Sequence, residues 1–174
     1  RTVVSFVGSP QEAAAAALAV SAKAIELIDL NVHRGAHPRM GAVDVIPFVP
    51  LGEATMEQAV ATARQVGQKL GEELRLPVFL YEAAASRPER RNLADVRQGE
   101  FEGLALKLAN PAWKPDFGPS RPHPTAGAVA VGARIFLVAY NVNLSTPDVS
   151  IAKAIARTVR AKTGGLQNVK ALGV

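Results

Sequence analysis

The chain has 174 residues, a formal charge of +5 and a hydrophobic fraction of 48%, one domain's length with ample material for a core. The absence of cysteine excludes disulfides and thiolate chemistry, and no apolar run approaches the roughly 18 residues of a membrane span. Aromatics at 5% and acids interspersed among the bases supply a poor stacking platform for nucleic acid, and small polyanionic substrates account for the charge equally well.

Residues 2–7 are β-branched and aromatic and end at Gly8-Ser9-Pro10, which predicts a buried strand and a turn. Ser9 caps a helix that opens with Pro10 and carries Glu12 in its first turn, where an acid suits the helix dipole. The helix extends over 13–28, with the alanine tract 13–17 expected to pack closely on a sheet. A strand is predicted over 42–49, with Asp44 flanked by apolar residues: such an acid is often solvated on the outer face, but periodicity does not settle which face it takes. Thr55 and Gln58 form a capping box for a helix running to about residue 73. Residues 77–81 are the next strand.

The charged run 87–91 reads as a solvated surface. Asn92 caps a short helix through Arg97, and 101–108 is a second helical piece. Pro111, Pro115, Pro119, Pro122 and Pro124 then interrupt regular structure, and Trp113 and Phe117 argue that this stiff loop is packed down. Strands follow over 129–133 and 135–142. Thr146 caps a last helix, Gly164-Gly165 ends it, and 166–172 is a final strand. The alternation predicts an α/β (α+β) fold, a mixed sheet with helices packed on it, with residues 1–174 as one domain.

Chemistry concentrates in His33-Arg34-Gly35-Ala36-His37-Pro38-Arg39-Met40-Gly41, two histidines alternating with two arginines in a loop stiffened by glycine and proline. Imidazole titrates near neutrality, and guanidinium groups recruit carboxylates. A metal site is not expected: Gly35 and Pro38 deny the helix that would align His33 with His37, and no third ligand is adjacent. Gly-x-Ser-x-Gly, Walker and dinucleotide loops are absent. Histidine acid–base catalysis beside carboxylate-holding arginines remains.

The segment 33–44 closely resembles the signature of the glutamate formiminotransferase family, with Ala36 where many relatives carry glutamate. Four further segments agree in the same order: Arg1-Thr2-Val3 with Phe6-Val7-Gly8, then 77–81, 116–120, and 132–134 leading to 141–144. The resemblance implies transfer of a formimino group from N-formiminoglutamate to tetrahydrofolate, a step of histidine degradation, in a cytoplasmic enzyme that uses folate as co-substrate and needs no metal. It implies that His37 is the acid–base residue. It further implies a folate-contacting loop made of Gly118, Pro119, Ser120, Arg121, Pro122, His123, Pro124, Thr125, Ala126 and Gly127. Arg34 and Arg39 are then expected on substrate carboxylates, His33 in a supporting role. The expected partners are these small molecules, with neither nucleic acid nor membrane, and association between copies is one way to complete the site. The family's opening Pro-Asn-Phe-Ser-Glu-Gly segment and its second subdomain are missing from the sequence. The alternative expectation is therefore a non-catalytic folate- or anion-binding module, or a fragment lacking a complete site.

Overall fold

The computed structural model describes residues 2–35, 37–139 and 141–174. Arg1, Ala36 and Tyr140 lie outside them, and with them the first residue of the family resemblance, the position where relatives carry glutamate, and one residue of the strand expected over 135–142. Chain contacts divide the molecule into two units, Arg1–Phe136 and Leu137–Val174.

The first unit begins with helix α1 (Pro10–Leu27), where Ser9 and Glu12 exchange hydrogen bonds as a full capping box: the Glu12 amide donates to Ser9 Oγ at 3.4 Å and the Ser9 amide to Glu12 Oε2 at 2.8 Å. Strand β1 (Asp44–Phe48) and helix α2 (Met56–Glu72) follow, the latter opened by the expected Thr55–Gln58 box. Strand β2 (Val78–Glu82), helices α3 (Leu93–Arg97) and α4 (Leu104–Ala109) and strand β3 (Val129–Ala133) complete it. The α/β class is borne out. The sheet has the order β1-β3-β2, and both pairings are parallel where mixed pairing was expected.

Alternation along the strands separates two cores. Val78 and Leu80 with Val129 and Val131 face Ala63, Val66 and Leu70 of α2, whereas Phe79, Tyr81 and Ala130 face Val96, Leu104 and Leu108 of α3 and α4. Helix α1 lies on α2, and Ala14 and Ala17 let the two backbones approach, so the alanine tract packs helix on helix instead of helix on sheet. Pro47 is tolerated because β1 is an edge strand.

Two expected strands do not form. Residues 2–7 are exposed throughout, Val3 at 72% and Val7 at 79%. Among the described residues of 135–142 there is likewise no strand, and Ile135, Val138 and Val142 stand in solvent. β-propensity measures how well a side chain packs on a pleated surface, and a strand also needs a neighbouring ladder; neither segment has one among the described residues.

In the second unit, helix α5 (Val149–Val159) is capped by Asp148, whose Oδ1 accepts from the Ser150 amide at 2.8 Å. Thr146, the expected cap, accepts instead from the Asp148 amide at 3.2 Å, one step earlier in the turn. Gly164 takes a left-handed φ of 86° after a short 3-10 turn, Ala161–Thr163. The strand expected over 166–172 is replaced by a turn, because Ala161 donates to Val169 O and Val169 to Leu166 O, folding the segment back on itself.

Candidate active site

Parallel register aligns Asp44, Val129 and Val78, so the segments entering β1, β3 and β2 emerge at one edge of the sheet. Two of them are the His/Arg segment and the proline-rich loop, 80-odd residues apart in sequence. They are stitched together by backbone: Leu30 donates to Thr125 O at 2.9 Å, Ala42 to Ala126 O at 3.0 Å and Ala128 to Met40 O at 3.1 Å. Asn31 Nδ2 adds a bond to Pro124 O at 3.0 Å. The contact admits no side chain at its centre: a Cβ on Gly41 would lie 1.8 Å from Ala128 O, and Gly127 holds a φ of 67° against Met40 O.

His37 is half-buried, and its Nδ1–H donates to Pro38 O at 2.7 Å. A carbonyl can only accept, so this bond selects the tautomer whose lone pair is on Nε2, the atom that would take a proton. His33 folds back on the end of the turn after α1, with Nδ1 2.8 Å from Asp29 O. Arg34 donates through Nη1 to Leu30 O at 2.9 Å.

Arg39 is already engaged. It grips Glu102 with two bonds, Nη2 to Oε1 at 2.6 Å and Nη1 to Oε2 at 2.9 Å, and reaches Glu100 at 3.0 Å. The hydrogen bond to the guanidinium pulls the Glu102 carboxyl down to about 2. A substrate carboxylate would have to displace Glu102 to use this arginine, so the geometry gives Arg39 the task of holding its loop against the segment before α4. Asp44 has a partner as well: its carboxylate accepts from the Met40 amide at 2.9 Å and pairs with Arg97, closing the turn that carries the motif. An acid whose face periodicity leaves open is thus an internal brace.

Within the charged run 87–91, Arg87, Pro88, Glu89 and Arg91 are exposed as expected, but Arg90 is 1% exposed. Its guanidinium bonds Asp116 Oδ2 at 2.7 Å, Lys114 O at 2.5 Å and Ala112 O at 3.3 Å, and lies over the rings of Phe79 and Trp113. Asp116 in turn accepts from the Leu80 amide at 2.8 Å and from Ser86. The pair clamps the start of the proline loop to β2. Sequence proximity to other arginines disguised it; the one visible signal was Trp113 and Phe117 demanding burial.

Within the expected folate loop, Pro119, Arg121, Pro122, His123 and Pro124 line a cleft of about 430 Å³ together with Arg75. Ser120 is exposed and Thr125 half-buried, whereas Ala126 and Gly127 are buried and anchor the loop. His123 Nδ1 accepts from the Ala126 amide at 3.1 Å, and burial pushes its pKa down. No group of three His, Asp or Glu among the described residues stands close enough to hold a metal. No helix among them is long and apolar enough to cross a membrane.

A family model described as the formiminotransferase domain, N-terminal subdomain, matches residues 1–134. The chain is 49% identical over 174 residues to glutamate formimidoyltransferase of Streptococcus pyogenes serotype M1, covering 100% of this chain and 58% of that protein. It is 52% identical over 174 residues to that of Thermoplasma acidophilum, covering 99% of this chain and 57% of that protein. With formimidoyltransferase-cyclodeaminase of Gallus gallus it shares 46% over 179 residues, 99% of this chain and 33% of that protein. The chain thus spans a little over half the length of the two microbial relatives. With the signature segment 33–44 and the proline loop both inside the matched span, the chain belongs to the family of formiminotransferase N-terminal subdomains.

Proposed function

We propose that this chain carries the acid–base half of a formimino-transfer site acting on N-formiminoglutamate and tetrahydrofolate. The observation that carries the reading is the meeting of the His37 segment with the 118–127 loop at one sheet edge, joined by backbone hydrogen bonds on both sides of Gly41. The names of the relatives, glutamate formimidoyltransferase and formimidoyltransferase-cyclodeaminase, support the reaction class.

In this reading a ring nitrogen of tetrahydrofolate attacks the amidine carbon of N-formiminoglutamate and a tetrahedral intermediate forms. His37 Nε2 takes the proton from the attacking nitrogen and returns it to the glutamate nitrogen as that carbon–nitrogen bond breaks. The carbon changes partner without changing oxidation state, so one imidazole suffices for both transfers. Its Nδ1–H bond to Pro38 O keeps the ring in the basic tautomer between turnovers. Arg34 serves a substrate carboxylate, and Arg39, held by Glu102, keeps the loop in place.

Two measurements test it. Saturating tetrahydrofolate should slow amide exchange across 117–128 while leaving α5 unchanged, and His37→Ala should lower formimino transfer by about a hundredfold or more without altering that protection. Protection without turnover in the unsubstituted chain would favour a folate-binding module. No protection would remove the loop from the site.

A further inference from the structure

We propose that the cleft between Arg75 and Arg121 is a dicarboxylate site that takes the glutamyl end of the folate co-substrate. The inference rests on the reading of 118–127 as the folate-contacting loop, and it adds Arg75, a residue outside every recognisable motif.

The cleft is built from two anchored walls. Arg75 lies in the turn between α2 and β2 with a left-handed φ of 56°. The turn is fixed behind it by the Leu76 amide bonding Leu70 O at 3.2 Å and ahead of it by the Val129 amide bonding Pro77 O at 3.0 Å. The start of the proline loop is pressed on the same turn: a Cβ at Gly118 would meet Leu76 O at 2.1 Å. The opposite end of the loop is closed by reciprocal backbone bonds between His123 and Gly127, at 2.9 and 3.0 Å. Pro119 and Pro122 between these anchors lock φ and remove donors, so Arg121 projects from a stiff segment.

Charge decides what the cleft takes. Arg39, Arg90 and Arg97 are all paired with carboxylates. Arg75 and Arg121 make no hydrogen bond or ion pair among the described residues, and no acid lines the space they share. Two unneutralised guanidiniums facing one cleft repel each other until an anion enters. Each is a planar fork suited to a carboxylate, and they come from different segments, which suits two carboxylates on a short flexible link. His123 supplies a further donor: with Nδ1 accepting backbone amides, its ring proton sits on Nε2. Proline rings line the rest and suit methylene groups. A glutamyl group has this combination of two carboxylates and an apolar stem, and tetrahydrofolate ends in one.

The test compares folic acid with pteroic acid, which keeps the pterin and aminobenzoate but lacks the glutamyl group. Titrations use the unsubstituted chain, Arg75→Gln and Arg121→Gln, both exposed positions. Each substitution should weaken folic acid by about tenfold and leave pteroic acid unchanged, the usual effect of losing a charge-assisted bond. Salt should weaken folic acid alone. Equal affinities for folic acid in all three proteins, or an equal loss for both ligands, would overturn the inference while leaving the proposed function intact. If the unsubstituted chain binds neither ligand, the proposed function falls. Glutarate then decides the cleft by itself: arginine side-chain resonances that respond to it, and cease to respond in Arg75→Gln, support a dicarboxylate site. No response, or an equal response to inorganic phosphate, overturns it.

Discussion

Asp116→Ala isolates the clamp that holds the proline loop. In the native chain the Asp116 carboxylate, 9% exposed, neutralises an Arg90 guanidinium that is 1% exposed, and also accepts the Leu80 amide and the Ser86 hydroxyl. Removing it leaves a cation buried between Phe79 and Trp113 with only carbonyl partners, and breaking one side of such a pair costs about 3–5 kcal/mol. With a urea slope of about 2 kcal/mol per molar for a chain of this size, the midpoint should fall by about 2 M, read by circular dichroism. The double variant Arg90→Met/Asp116→Ala should recover part of that loss, since it removes the uncompensated charge together with its partner. A midpoint shift below about 0.5 M for Asp116→Ala would refute the reasoning, because it would give the pair the small value of an exposed one.

His37→Ala should fold normally and lose about a hundredfold or more in turnover, the usual scale for one proton-transfer group; steady-state kinetics at saturating substrates check this. Gly41→Ala should lose stability by about 1–3 kcal/mol or more in a denaturant titration, because the new methyl would stand 1.8 Å from Ala128 O and neither backbone can yield freely. Glu102 should titrate near 2 by carboxyl NMR and return towards the ordinary range of about 4.5 in Arg39→Gln. Its folded pKa lies below the unfolded value, so its support of the His37 segment is complete above about 4.5 and is lost as pH falls towards 2. Amide exchange of residues 39–41 should accelerate in that window.

What was legible in the sequence was local. Ser9 with Glu12 and Thr55 with Gln58 satisfy each other across three residues, and Asn92 reaches the Ala94 amide two residues on, so these helix starts need nothing from elsewhere in the chain. The three observed strands were legible for a related reason: each is a short apolar run bounded by turn residues. The His37 segment was legible through its crowded chemistry and its resemblance to a family, and the 118–127 loop through its prolines and that same resemblance.

Tertiary structure decided whatever depends on a partner far along the chain. Residues 2–7 and 135–142 have the composition of strands, yet a ladder requires a neighbour, and composition does not say whether one is present. Arg90 and Arg87 look alike in a charged run, but only Arg90 finds a carboxylate 26 positions away and is buried by it. Arg39 finds Glu100 and Glu102 at separations of 61 and 63, and Arg97 finds Asp44 at 53, so both pairs brace the fold from within. Arg75 entered the candidate site only because parallel register brings the start of β2 level with the starts of β1 and β3. A charge has the same letter in the sequence whether it is solvated, paired or waiting for a ligand. The difference lies in which groups the fold brings within about 3 Å of it, and how much water it leaves there.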